Sequence, residues 1–116
     1  MAAGAARPGS TPGASASAQV PAPDLGMEPQ LQHLVGQTIV VDTATRFMYL
    51  GVLREISERW VELAEVEVID TEKVHVSRDL ILIEKKRDGV KVGRRRVVVS
   101  LPSIISISAL EDTCDL

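Results

Sequence analysis

Two glycines fifteen residues apart, Gly36 and Gly51, frame the stretch from Leu34 to Leu63 and constrain the fold more than any other feature. Between them lie Ile39, Val40 and Val41, a polar break from Asp42 to Arg46, and then Phe47 to Leu50. Beyond Gly51 come Val52, Leu53 and Ile56, a charged break, and Val61 with Leu63. Short apolar runs separated by turn-friendly polar clusters predict an antiparallel meander of three strands that curls into a small barrel or sandwich. Gly51 falls inside the second strand, where a glycine loses packing and marks a bulge or a close approach of another backbone. A small barrel needs such a bend to close.

The remaining elements follow from local signals. Met27 to Val35 carries Leu31, Leu34 and Val35 at helical spacing behind Glu28 and Pro29, which predicts a short helix ending at Gly36. The first strand is expected over Thr38 to Asp42, the second over Phe47 to Ile56 and the third from Arg59 to about Ile69. In the third, Val61 and Leu63 occupy odd positions whereas Val66 and Val68 occupy even ones. A one-residue slip sends every later side chain to the other face, so a bulge is expected near Ala64. Ser77 can cap a helix over Arg78 to Arg87, with Asp88 and Gly89 ending it and Lys85, Lys86 and Arg87 in its last turn. A strand from Leu80 to Lys85 is the rival, because both periods fit so short a run. The fourth strand is expected over Arg94 to Ser100, a turn at Pro102, and the fifth strand over Ser103 to Ala109.

Residues Leu34, Val35, Gly36, Ile39, Val41, Tyr49, Gly51, Leu53, Ile56, Val61 and Leu63 stand in the order and nearly the spacing of the first motif of the Sm and Sm-like proteins. Val97 to Ile107, with Pro102 at its turn, resembles the paired last strands of the second motif. The two halves cover roughly residues 28 to 110, with a long insertion between them. The resemblance implies a mainly β fold: a small, strongly bent, five-stranded antiparallel barrel of Sm-like or SH3-like type, with a short N-terminal helix and an inserted helix before the fourth strand. It further implies a ring of copies in which the fourth strand of one subunit meets the fifth of the next, through Val97, Val98, Val99, Ile104, Ile105 and Ile107. Val97 to Val99 has no alternation, so both of its faces are expected to be covered, and such assembly would also remove exposed sheet edges.

Composition bounds the rest. Residues 1–26 are almost entirely Ala, Gly, Pro, Ser and Gln, a mixture too poor in apolar surface to offset its ordering entropy, and are expected to form a disordered tail. Residues 27–110 are expected to form the domain, and 111–116 a short acidic tail. No run approaches the length that spans a bilayer, and the prolines and serines of the first residues break any secretory signal, so a soluble, cytoplasmic protein is expected, with no membrane partner. The single cysteine, Cys114, excludes an intrachain disulfide and a multi-cysteine zinc site.

Formal charge is only -3, but it is unevenly placed. Glu55 to Glu72 holds seven acidic side chains against Arg59, and Lys85 to Arg96 holds seven basic ones against Asp88. This asymmetry suits an anionic ligand or self-association. Lys85, Lys86, Arg87, Lys91, Arg94, Arg95 and Arg96 are the candidate RNA-binding residues, acting on phosphates without reading sequence. The rival reading is a solvated rim with ion pairs to the acidic strand. Alternation along the fourth strand separates Arg95 from Arg94 and Arg96. Trp60 joins the candidates as a surface on which a base could stack, although a lone tryptophan more often caps a core.

The family's uridine pocket uses an aspartate and an asparagine at one turn and an arginine and a glycine at another. The corresponding positions here are Ser57, Trp60, Ser100 and Leu101, so that pocket does not transfer. His33 and His75 lie in unrelated segments, and no Gly-rich loop opens a helix. A catalytic site, a metal, a cofactor and a small-molecule substrate are therefore not expected. A non-catalytic, RNA-associated ring is the leading expectation. The alternatives are an oligomeric protein-interaction module that binds no RNA, and a monomeric SH3-like barrel.

Overall fold

A computed structural model describes residues 31–115. The proposed tail and the first four of the nine residues expected as the short helix before Gly36 lie outside that range; Leu31 and Gln32 are helical and lead into a turn. Gly36 ends this turn with φ of 91°, in the region that favours glycine, and its N–H donates to Leu53 O at 2.8 Å. The chain thereby enters the sheet already paired to the second strand.

Five antiparallel strands follow: β1 (Thr38–Thr43), β2 (Phe47–Ile56), β3 (Trp60–Asp70), β4 (Arg94–Ser100) and β5 (Ile104–Ala109). Helix α1 (Arg78–Asp88) lies between β3 and β4, and a single 3-10 turn, Leu101–Ser103, links β4 to β5. Their order across the sheet is β4-β3-β2-β1-β5. Here the expectation of a closed barrel needs correction. β4 and β5 stand at opposite edges and do not pair with each other, so the sheet is not closed by hydrogen bonds. Its curl is nevertheless clear from the packing. Val99 of β4 and Ile104 and Ile107 of β5 join the same apolar cluster as Ile39, Val41, Leu53, Val61, Leu63 and Val66. Two edges that touch one core must have been brought round toward each other.

Bulges in β2 and β3 provide the curl. Leu50 pairs with Glu67 but Val52 pairs with Ala64, so Glu65 and Val66 stand opposite Gly51 alone. Glu65 takes φ of 54°, and it is the one non-glycine residue with positive φ among those described. Such a residue increases local twist and bends the strand. This is the slip that the change from odd to even positions near Ala64 predicts. Further along, Leu53 pairs with Leu63 and Glu55 with Glu62, leaving Arg54 unpaired as a second bulge on β2. The glycine is required sterically. A Cβ at Gly51 would lie 3.0 Å from both Ala64 O and Val66 Cγ2, so β3 can cross here only because residue 51 has no side chain.

The opposite face of the sheet has its own apolar cluster, in which Val40, Met48, Leu50 and Ile69 meet Ile81 of α1 and Leu110. Burial on both faces explains why Ile39, Val40 and Val41 do not alternate with polar residues. Helix, not strand, is the outcome for residues 78–88. Ser77 Oγ accepts from Leu80 N at 3.1 Å, and Gly89 N donates to Lys85 O at 2.7 Å. An ion pair at 2.9 Å joins Lys85 to Glu67 of β3 and holds the helix over its sheet. At the other end Arg78 Nη1 lies 2.7 Å from Asp42 Oδ1, an ionic approach at an oxygen that takes no hydrogen bond. No described helix is long and apolar enough to cross a membrane.

Candidate functional site

The seven basic candidates do not form one patch. Lys85 is committed to Glu67, and Arg87 Nε lies 3.0 Å from Asp88 Oδ1. Lys86 Nζ donates to Thr113 O at 2.7 Å, beside a small groove lined by Gln37, Thr38, Leu110 and Glu111. The Lys91 backbone N–H donates to Glu67 Oε1 at 2.8 Å while its side chain stays exposed. Arg96 Nε pairs with Glu62 Oε2 at 3.1 Å. Ion pairing to the acidic strand, the rival of RNA contact in the sequence, thus accounts for Lys85 and Arg96. Arg94 and Arg95 are exposed and take part in none of the ion pairs found among the described residues.

Between the two bulges lies an open groove of about 450 Å³, lined by Arg54, Glu62, Ala64, Glu65, Arg95 and Arg96. Simple alternation placed Arg95 on the face opposite Arg96, yet both line this groove. The β3–β4 ladder keeps one register through this point, Ala64 with Arg96 and Val66 with Arg94, so both long side chains reach the groove from an unbroken strand. Ala64 leaves the middle of the groove open for want of a larger side chain. Arg54 was not among the sequence candidates. It stands alone between Leu53 and Glu55, and only a bulge, which leaves no composition signal in β2, brings it beside residues of β4.

Trp60 corrects the expectation of a core cap, since 43% of it is exposed at the start of β3. Its backbone pairs with Ser100, and Leu101 N donates to Arg59 O at 2.8 Å. The β2–β3 and β4–β5 turns therefore abut. Ser57 Oγ accepts from Arg59 N at 3.2 Å and Trp60 N at 3.1 Å, so it organises its own turn. A family-type uridine pocket would need side chains that these turns do not carry.

The edge strands divide their apolar residues. Val97, Val99, Ile104 and Ile107 pack into the core, whereas Val98 is 55% and Ile105 69% exposed. The expectation that Val97 to Val99 would be covered on both faces thus fails at Val98 within one copy. On β5, Thr43 pairs with Ile104 and Asp42 with Ser106, so Ile105 is a bulge residue standing out from the edge. His33 and His75 are exposed, and Cys114 is a free, exposed thiol. Among the described residues no group of three or more His, Cys, Asp or Glu could hold a metal ion.

The clearest electrostatic perturbation is structural. Arg46 Nε donates to Asp70 Oδ1 at 2.9 Å, and this bond holds the Asp70 carboxyl below its ordinary range. The pair ties the β1–β2 turn to the end of β3.

No protein-family model and no curated protein matches the chain. Solved structures do. A Pyrococcus abyssii Sm protein in complex with a uridine heptamer shares 19% identity at a TM-score of 0.47, covering 71% of this chain and 94% of that one. A heptameric archaeal Sm protein shares 20% identity at a TM-score of 0.48, covering 70% of this chain and 96% of that one. Each is a structure that this chain resembles over about 70% of its own length.

Proposed function

We propose that this chain is a non-catalytic, Sm-like subunit that assembles edge to edge into a ring and associates with RNA through basic side chains. One observation supports the assembly above all others: among the described residues the sheet has two unpaired edges, β4 and β5, and each displays a large exposed aliphatic residue, Val98 on one and Ile105 on the other. An edge strand with free backbone groups and exposed apolar side chains is a template for another strand. Two different edges on one copy make a head-to-tail contact, which closes into a ring when the rotation per copy allows. Solution mass tests this directly. The unaltered chain is expected to run as a multiple of 12.5 kDa, and Val98→Lys to shift it to monomer by placing a charge on the pairing edge. A monomeric unaltered chain, or an unchanged mass for the variant, refutes pairing through β4.

RNA association is supported by the exposed arginines of β4 and by the exposed Trp60, since cationic and aromatic surfaces together hold single strands without reading them. A second reading, an oligomeric protein-interaction module, is favoured by the overall charge of -3 and by the carboxylates already paired with Lys85 and Arg96. Affinity for short single-stranded RNA that falls steeply with salt supports the first reading. Absence of binding at low salt supports the second.

A further inference from the structure

We infer that the groove between the two bulges is the seat of a phosphodiester group, with Arg54 and Arg95 as its ligands, and that single-stranded RNA crosses the chain there rather than along α1. This rests on the RNA reading above and says which residues carry it. Of the basic side chains, Lys85 is paired with Glu67 and Arg87 with Asp88, and Lys86 is tied by a hydrogen bond to the Thr113 carbonyl. Arg54 and Arg95 form none of the ion pairs found among the described residues, yet both line one groove.

The two acidic residues of the groove do not close it to an anion. Glu62 is neutralised by Arg96 at 3.1 Å, and Glu65 is exposed, where solvent screens its charge. Against Arg54, Arg95 and the Glu62–Arg96 pair, the groove is left with one net positive charge. A planar guanidinium presents its donors in a fork that matches phosphate oxygens, and two forks approaching from different strands can grip one group from two sides. Ala64, with no bulk beyond its Cβ, leaves the group room to approach. The position also suits a strand laid across the sheet, because the groove is lined by residues of β2, β3 and β4.

The test uses the full chain and a fluorescein-labelled oligouridylate of about ten nucleotides, with anisotropy read across a salt series. Arg54→Gln and Arg95→Gln are each compared with the unaltered chain and with Lys73→Gln, which removes one exposed positive charge from the β3–α1 loop. Each arginine variant is expected to bind about tenfold more weakly at low salt. Each is also expected to flatten the slope of log K against log salt by about 0.7, the loss of one phosphate contact to a single strand. Circular dichroism and solution mass matching the unaltered chain establish that fold and assembly are kept. If the unaltered chain binds but both arginine variants behave like Lys73→Gln, the groove is overturned while the RNA reading stands. If the unaltered chain does not bind at low salt, both are overturned together.

Discussion

Gly51→Ala is the sharpest test of how this sheet bends. The added Cβ would meet a backbone oxygen, Ala64 O, at 3.0 Å, a methyl of Val66 at 3.0 Å and Leu63 Cβ at 3.4 Å. None of these can swing away cheaply, since Ala64 O belongs to the ladder and both side chains lie in the buried core. Overpacking of this kind costs about 1–3 kcal/mol. Restricting the unfolded chain returns about 0.4–1 kcal/mol. Taking the midpoints of those ranges, the net loss is about 1.3 kcal/mol, or a fall in Tm of roughly 5–10 °C for a folded unit of this size. Gly93→Ala is the matched control, because its Cβ would find only Val66 O, at 4.0 Å. Urea unfolding at one fixed protein concentration should show a lower midpoint for Gly51→Ala at unchanged slope, and no loss for Gly93→Ala. If the two variants unfold together, the requirement for a bare backbone at residue 51 is wrong.

Two further outcomes can be checked on the same equipment. Glu65→Gly should raise the unfolding free energy by about 0.5–1 kcal/mol, read as a higher urea midpoint, because a left-handed backbone costs a side-chain-bearing residue about 1–2 kcal/mol and glycine's extra freedom returns only part of that to the unfolded state; a lower midpoint would mean that the Glu65 side chain contributes more than its backbone costs. The Asp70 carboxyl is held below its ordinary range by Arg46, so the stability it contributes is complete above the usual carboxylate pKa of about 3.9 and disappears as pH falls below that value. Asp70→Asn should therefore lower stability at neutral pH and flatten its decline below about pH 4; an acid limb parallel to that of the unaltered chain would refute the assignment.

Much of this architecture can be read from local chemistry. Phe47 to Ile56 and Arg94 to Ser100 match the observed strands end for end, the first because polar clusters bound it and the second because it lies between Gly93 and the turn at Pro102. Ser77 and Gly89 mark α1 because caps are chemistry of single residues. The switch of parity around Ala64 shows as a bulge because burial enforces a face. What escapes is whatever depends on neighbours distant in sequence. Ile39 to Val41 and Val97 to Val99 look alike as apolar triplets. The first is covered on both faces, by the main core and by Ile81 with Leu110, whereas the second lies at an edge with Val98 in solvent. Arg54 escaped for a related reason. Its place in the groove comes from an irregularity shared with β3, which Gly51 signals at its own position but which no residue beside Arg54 does. Trp60 is exposed because its strand begins at a turn, beyond the reach of the core that its size would suggest.

The two irregularities of the β2–β3 ribbon cancel. Before the bend, paired residue numbers add to 117, as in Leu50 with Glu67; between the bulges they add to 116, as in Leu53 with Leu63; after Arg54 they return to 117, as in Ile56 with Val61. The ribbon leaves the corner in the same phase in which it entered. Excising Glu65 or Arg54 singly would remove one bulge and leave the remaining partners, Leu53 with Leu63 and Ile56 with Val61, facing the core as before, so each excision would straighten part of the corner and the two together would erase it.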